Sequence, residues 1–517
     1  MSSLRIIKSF KLIGLFILGL CGLPVSATNI DDRLTADNKD QGTVNIVNAT
    51  PLNDLAYLRK VTIDVVGRVP TVEEIQQYEN WPKADRRDLL LDKLFKDDGF
   101  ADRWTIFFSD ILRVRSEAEG GNRLLAYVHQ SIDNKKPWDK MARELIAASG
   151  SSGDTPSVGF LLSDDSDPMT MAGATAQVFL GVRMACAQCH NHPFDKWRQK
   201  QFYELASFFG KTKQVASRMS KKTYVTEGNE MKVLWPPERK KPKERYAVNP
   251  KFPFPLEDFN VKPDYLKRLM ALRSGQAVAL NKHKESVALD ALIDSSIGDQ
   301  GLKTGVEPAA LSVRKQSRQD IRKLDVRGDL YRKSELRKQL AEHVTKPENR
   351  YFSRNMVNRV WAELMGRGFY EPIDDFQGEV THPKTINYLC DEFIANGYDL
   401  HYLIRVIMRS NAYAKASLGS DVPLDDSEVS RAAFASTIKR RMISEVLYDS
   451  VVIAGNLREY KWPKGANVRQ VERRIRVPLD LDEGNQLGIE LNQETEIMEP
   501  DKLKPNQYNL EQVISLD

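Results

Sequence analysis

Met184-Ala-Cys-Ala-Gln-Cys-His-Asn-His-Pro-Phe-Asp-Lys-Trp197 gathers two of the chain's four cysteines and two of its seven histidines into fourteen residues. Cys186, Cys189 and His190 spell C-x-x-C-H, the spacing of a c-type haem attachment site. Two thiols three apart on a tight turn can each form a thioether to one edge of a porphyrin. The histidine that follows is then held under the iron as its proximal ligand, and the axial ligand governs the metal's chemistry. His192 and Asp195 stand close enough to offer two further ligands. The same residues admit other readings. A zinc or iron site could draw on Cys186, Cys189, His190, His192 and Asp195, and a bare C-x-x-C could be a disulfide or redox pair.

The flanks place the motif on a turn between two helices. Before it, residues 172–184 are rich in small side chains, and Gly173 and Gly181 permit close approach of the backbone to a flat group or another helix. After it, residues 199–209 carry Phe202, Leu205, Phe208 and Phe209 on one helical face.

The N-terminus bears on the compartment. Arg5, Lys8 and Lys11 precede an apolar run from Leu12 to Leu23, and Val25-Ser26-Ala27 resembles a leader-peptidase site. Residues 1–27 are therefore expected to be a signal peptide, with Cys21 inside it, and the product to be exported, periplasmic or secreted. The apolar run is too short for a spanning helix, so no transmembrane span is expected after leader removal. Losing the leader leaves 73 basic against 71 acidic residues, a net charge of about +2. Such a balance excludes nucleic acid as the obvious partner. Cys186, Cys189 and Cys390 cannot all pair internally, which rules out a disulfide scaffold, and Cys390 reads as a small buried apolar residue.

The fold class expected is mainly α. Residues 28–50 are polar and aperiodic and read as a flexible N-terminus. A helical domain follows over 51–215. Leu55, Leu58 and Val61 open it; Thr71 and Glu74 form a capping box; residues 85–95 are amphipathic; and 100–113 bring Trp104, Phe107, Phe108 and Ile111 to one core-facing side. Helical stretches at 122–129 and 138–148 end at Ser149-Gly-Ser-Ser-Gly153. Residues 216–333 are expected to hold a hairpin over Thr223–Trp235 turning at Gly228-Asn229, a Pro/Lys-rich linker containing Arg239-Lys-Lys-Pro-Lys243, and connecting helices.

A second helical domain is expected over 334–457, with a long helix from Arg350 to Met365 stopped by Gly366 and a last one over 435–455. Arg354, Asn355, Asn358, Arg359, Asp374 and Asp375 read as a buried polar network locking helix to loop, or as a pocket lining. His382 and His401 read as ordinary polar histidines. Residues 458–517 are expected to be a polar tail.

Residues 54–209 resemble the cytochrome-like domain of unknown function found in planctomycetes and their relatives. The resemblance is carried by Asp54-Leu-Ala-Tyr-Leu-Arg59, Gly67-Arg-Val-Pro-Thr71, Phe100-Ala-Asp-Arg-Trp104, Pro137-Trp-Asp139, Phe179-Leu-Gly181 and the stretch from Cys186 to Trp197. Residues 334–450 resemble the second domain that accompanies it, through Arg354-Asn-Met-Val-Asn-Arg-Val-Trp361, Gly366-Arg-Gly368, Glu371-Pro-Ile-Asp-Asp-Phe376, Gly397-Tyr-Asp-Leu400 and Arg441-Met-Ile-Ser-Glu445. The family implies an exported protein with a C-x-x-C-H site and no established reaction.

The expected function is c-type haem binding at Cys186, Cys189 and His190, for electron transfer with a redox partner or for redox chemistry on an extracellular substrate. Met169, Met171, Met219, Met231 and His129 are open candidates for a sixth ligand. The alternatives are a scaffolding protein with a structural zinc or iron site and a metal-dependent hydrolase using His192 and Asp195. Whether the chain is an enzyme stays open.

Overall fold

The computed structural model describes residues 28–216, 222–237, 244–275 and 332–455. The leader, the run 239–243, Met219, residues 276–331 and the tail beyond 455 lie outside the described residues. The fold is mainly α. The helices are α1 (Thr28–Asp40), α2 (Asp54–Val66), α3 (Val72–Asn80), α4 (Arg86–Leu94), α5 (Gly99–Leu112), α6 (Gly121–Asp133), α7 (Trp138–Ile146), α8 (Gly159–Leu162), α9 (Pro168–Leu180) and α10 (Gln199–Ala206) in the first half. Residues 264–275 form α11. Then come α12 (Glu335–Val344), α13 (Arg350–Met365), α14 (Pro383–Ala395), α15 (Leu400–Met408), α16 (Leu424–Ala432) and α17 (Ser444–Ala454). No helix among the described residues is long and apolar enough to cross a membrane.

Local chemistry explains the helix ends. Thr71 accepts the Glu74 N–H while the Glu74 carboxylate accepts the Thr71 N–H, the reciprocal capping box expected for α3. Glu74 is also paired with Arg68 at 2.7 Å, which holds its carboxyl down at about 2 against the opposing effect of burial. Thr71→Ala should cost about 1 kcal/mol, read as a shift in denaturation midpoint. An unchanged midpoint would show the cap to be redundant. Gly366, at φ +82°, ends α13 where the sequence predicts.

The two halves share one hydrophobic core. At its centre the fully buried Trp138 packs against Phe108 and Phe179 and stacks 6.0 Å from Phe352 of α13, with the rings almost parallel. Phe107 is only partly buried, while Trp104, Phe108 and Ile111 form the expected buried side of α5. Cys390 is fully buried in α14.

The structure corrects four expectations. Residues 28–40 are not a flexible end. They form α1, which buries Ile30 and Leu34 against α14. The buried Asp37 accepts from the Lys384 and Thr385 backbone N–H groups and from the Thr385 hydroxyl. It thus satisfies orphan donors at the start of α14, and a polar helix is retained by its partner's needs rather than by its own apolar stripe.

The hairpin is also different. β3 (Thr223–Glu227) lies between β1 (Gly150–Ser151) and β2 (Thr212–Ala216), antiparallel to both, with Val225 opposite Gly150 and Gln214. β4 (Leu234–Trp235) pairs instead with β5 (Tyr246–Ala247). Gly228 N–H donates to Lys211 O and Lys232 N–H to Gly210 O, so the Gly-Asn segment runs alongside the end of the preceding helix instead of turning β3 onto β4. Leu55 is exposed, α2 burying Tyr57, Leu58, Val61 and Val65. The last helix begins at Ser444, because residues 435–443 are drawn into long-range bonds. These include Thr437 N–H to Ala416 O and Arg440 to the Asp64 carboxylate at 3.0 Å.

Candidate functional site

α9 delivers the chain to the cysteine turn. Asp167 caps its start by accepting from Thr170 N–H, and Pro168 fills the first position, where no donor is needed. Gly181 ends it in the left-handed region at φ +65°. A Cβ there would stand 2.8 Å from the Phe376 ring, so the site demands glycine for conformation and for space. Gly173 has a comparable purpose: Ala185 of the turn lies 3.3 Å from where its Cβ would be. The close approach predicted for these glycines is made by protein.

Residues Met184–Gln188 form a 3₁₀ turn that buries Met184 and Ala187 and leaves Cys186 and Cys189 as exposed free thiols. His190 is exposed too. Its Nδ1 lies 2.6 Å from Asn191 O, and a carbonyl only accepts, so Nδ1 carries the proton. In the neutral ring that leaves Nε2 as the nitrogen open to a metal, with Nδ1 held by the kind of carbonyl partner that fixes such rings.

Beyond the cysteines the loop is stapled. His192 is buried, its N–H donating to Trp197 O at 2.8 Å and its Nδ1 accepting from Phe194 N–H at 3.3 Å. Gln199 donates through Nε2 to Gln188 O, and its N–H reaches Asn191 Oδ1, each at 2.9 Å. Trp197 is buried with its ring 4.7 Å from Phe254. Asp195 accepts the Lys196 N–H.

Among the described residues, no three His, Cys, Asp or Glu side chains converge as a metal group. The five-residue alternative of Cys186, Cys189, His190, His192 and Asp195 is thus not brought together: His192 is buried, Asp195 is half-buried, and Cys186, Cys189 and His190 are exposed. Of the sixth-ligand candidates, His129 is buried with Nε2 2.9 Å from Asp102, and Met171 lies in the core. Met231 packs on Gly210. Met169 is partly buried one turn before Gly173.

The second half clamps this turn. Arg183 pairs with Asp374 at 2.6 Å, and Gln177 donates to the other oxygen of the same carboxylate at 2.5 Å. Burial alone would raise the Asp374 pKa, but these two donors outweigh it and hold it below the usual carboxylate range. Asp375, buried and with Oδ1 unpartnered, is pushed up by burial despite the Arg183 N–H. Asn355 donates to Val178 O at 2.6 Å and accepts from Arg359, which also reaches Gln177 O. Asn358 binds the following loop through four bonds, accepting from Phe369 and Tyr370 N–H and donating to Tyr370 and Ile373 O. Phe376 N–H then donates to Gly181 O at 2.9 Å. The polar cluster is therefore a lock rather than an open pocket, apart from Arg354, which turns to Asn387. The sequence showed the cluster but not its partners Gln177, Val178 and Arg183.

Residues 29–214 match PSCyt2, described as a protein of unknown function (DUF1549), and residues 336–501 match PSD1, described in the same words (DUF1553). The chain belongs to the proteins that pair these two domains. No curated protein and no solved structure matches it. The clamp is thus an interface between the PSCyt2 helix α9 with its cysteine turn and the PSD1 helix α13 with its loop.

Proposed function

We propose that the PSCyt2 domain carries a c-type haem on the 184–197 turn, and that the exported chain serves electron transfer or redox chemistry on an extracellular substrate. The observation that supports this best is the pairing of two free, outward-facing thiols with an exposed His190 whose Nδ1 is tied to Asn191 O. Cys186 and Cys189 would bear the thioethers and His190 would be the proximal ligand. When bound, the haem supplies a one-electron iron couple, and the chain supplies attachment, orientation and electrostatics. The PSD1 clamp through Arg183 and Asp374 fixes the entry to the turn, so ligand placement would depend on both domains.

The test is expression of the chain with its leader in a host with haem-maturation machinery. The expected product shows a Soret band and a haem-sized mass increase that persist after denaturation. Cys186→Ser or Cys189→Ser should leave at most one thioether, and the double variant should lose all covalent haem. Properly exported material without covalent tetrapyrrole would overturn the reading, and metal analysis would then test for zinc or iron.

A further inference from the structure

Phe194 is 86% exposed, more than any other large apolar side chain among the described residues. Single exposed apolar residues are ordinary on protein surfaces. This one differs in how it is held. The loop that projects it is bonded on both sides, by His192 N–H to Trp197 O, Phe194 N–H to His192 Nδ1 and Gln199 to Gln188 and Asn191, and is anchored by the buried Trp197. A floppy loop would fold such a ring back onto itself. A stapled loop holds it out ready for contact, so little ordering entropy is lost on docking.

The surroundings are basic. Lys196, Arg198 and Lys200 are all exposed, and none has a carboxylate partner among the described residues. Lys196 donates to the Tyr351 hydroxyl at 3.0 Å. The acidic groups along this stretch and the helix that follows are Asp195, which accepts the Lys196 N–H, and Glu204, one turn beyond Lys200. The Lys196 ammonium also lies over the Trp197 and Tyr351 rings, at 5.1 and 5.7 Å from their centroids. An apolar tip beside cations that lack a carboxylate partner is complementary to an apolar spot rimmed by carboxylates, and such pairing sets encounter rate and orientation.

We infer that the face formed by Phe194, Lys196, Arg198 and Lys200 docks an acidic protein partner, seated beside Cys186, Cys189 and His190. The partner's role as an electron donor or acceptor rests on the haem reading, but its binding does not. The ring of Phe194 enters the partner's apolar spot, and the three cations meet its carboxylates.

The probe is an acidic plant-type [2Fe–2S] ferredoxin, titrated calorimetrically against the full exported chain. Binding at low salt should weaken about tenfold or more between about 20 and 200 mM salt. The triple variant Lys196→Glu, Arg198→Glu, Lys200→Glu should weaken it at least about tenfold, and Phe194→Ser about tenfold with the salt slope retained. All four side chains are exposed, and an unchanged far-UV spectrum and melting midpoint verify each variant's fold. Absence of ferredoxin binding at low salt, or binding indifferent to Phe194, would overturn the inference. So would polyglutamate binding as tightly as ferredoxin, which would reduce the face to a sink for any polyanion. Soret absorbance of the same samples separates the two ideas. Face-dependent binding without haem removes the redox role and keeps the docking surface; haem without face-dependent binding does the reverse.

Discussion

Asn358→Ala should destabilise the chain by about 3–5 kcal/mol, measured by denaturant unfolding at neutral pH. Asn358 is fully buried, and its side chain serves two backbone donors and two backbone acceptors of the 369–373 segment. A buried polar group deprived of its partner costs about 1–3 kcal/mol. Alanine strands several at once, and water entering the gap would recover only part of the loss. Asn358→Asp should fail as well, because it keeps the acceptor but removes both donors and buries a charge. The effect should spread. The same segment carries Asp374 to Arg183 and Phe376 to Gly181, so amide exchange should quicken in the cysteine turn as well as in the loop. A cost under about 1 kcal/mol, or faster exchange confined to 369–376, would show that the loop does not depend on this side chain, or that the turn does not depend on the loop.

What could be read from the sequence follows the range of the forces involved. The capping box of α3, the stop at Gly366 and the span of α13 are set by residues a few positions apart, and they stand where the spacing predicts. The arrangement of β3 was not legible. Tyr224, Val225 and Thr226 are all buried, which marks a strand covered on both faces and flanked on both edges. One of its neighbours, however, is a two-residue strand at 150–151, and no local pattern announces a pairing across so long a loop. α1 is hidden from the sequence for a related reason. Its apolar stripe is two residues, and Asp37 has meaning only against the start of α14. At the candidate site, the chemistry-bearing types in Cys186–Trp197 and in 354–375 were visible, but their meeting through Arg183–Asp374 and Asn355–Val178 is made by the fold.

Acidification from pH 7 to 5 should remove about 3–4 kcal/mol of stability contributed by two desolvated histidines, well before the paired carboxylates protonate. His382 and His401 are both held at about 4, below the ordinary 6.5, chiefly because burial penalises the charged ring. Asp37 pulls His382 the other way and Arg367 adds to the depression; Lys135 and Arg405 do the same for His401. Asp399 lies 3.8 Å from the His401 ring, which would favour the cation. Its carboxylate is engaged with the His401 and Tyr402 backbone N–H groups, however, and burial wins.

The sign follows from proton counting. Between about pH 6.5 and 4 the unfolded chain binds protons that the folded chain refuses. The stability these neutral rings contribute is therefore whole above 6.5 and declines as pH falls towards 4, by at most about 1.4 kcal/mol per unit for each ring. Both rings sit where the two domains meet. His382 of PSD1 contacts Asn38 of α1, and His401 of PSD1 stacks 4.2 Å from Phe100 of α5. Acid should therefore loosen the seam before the core. His382→Gln with His401→Phe, the latter keeping the stack on Phe100, should flatten the dependence between pH 7 and 5. Stability that stays level or rises over that interval in the unaltered chain would mean that the rings charge without being desolvated, and that the seam is wetter than its packing implies.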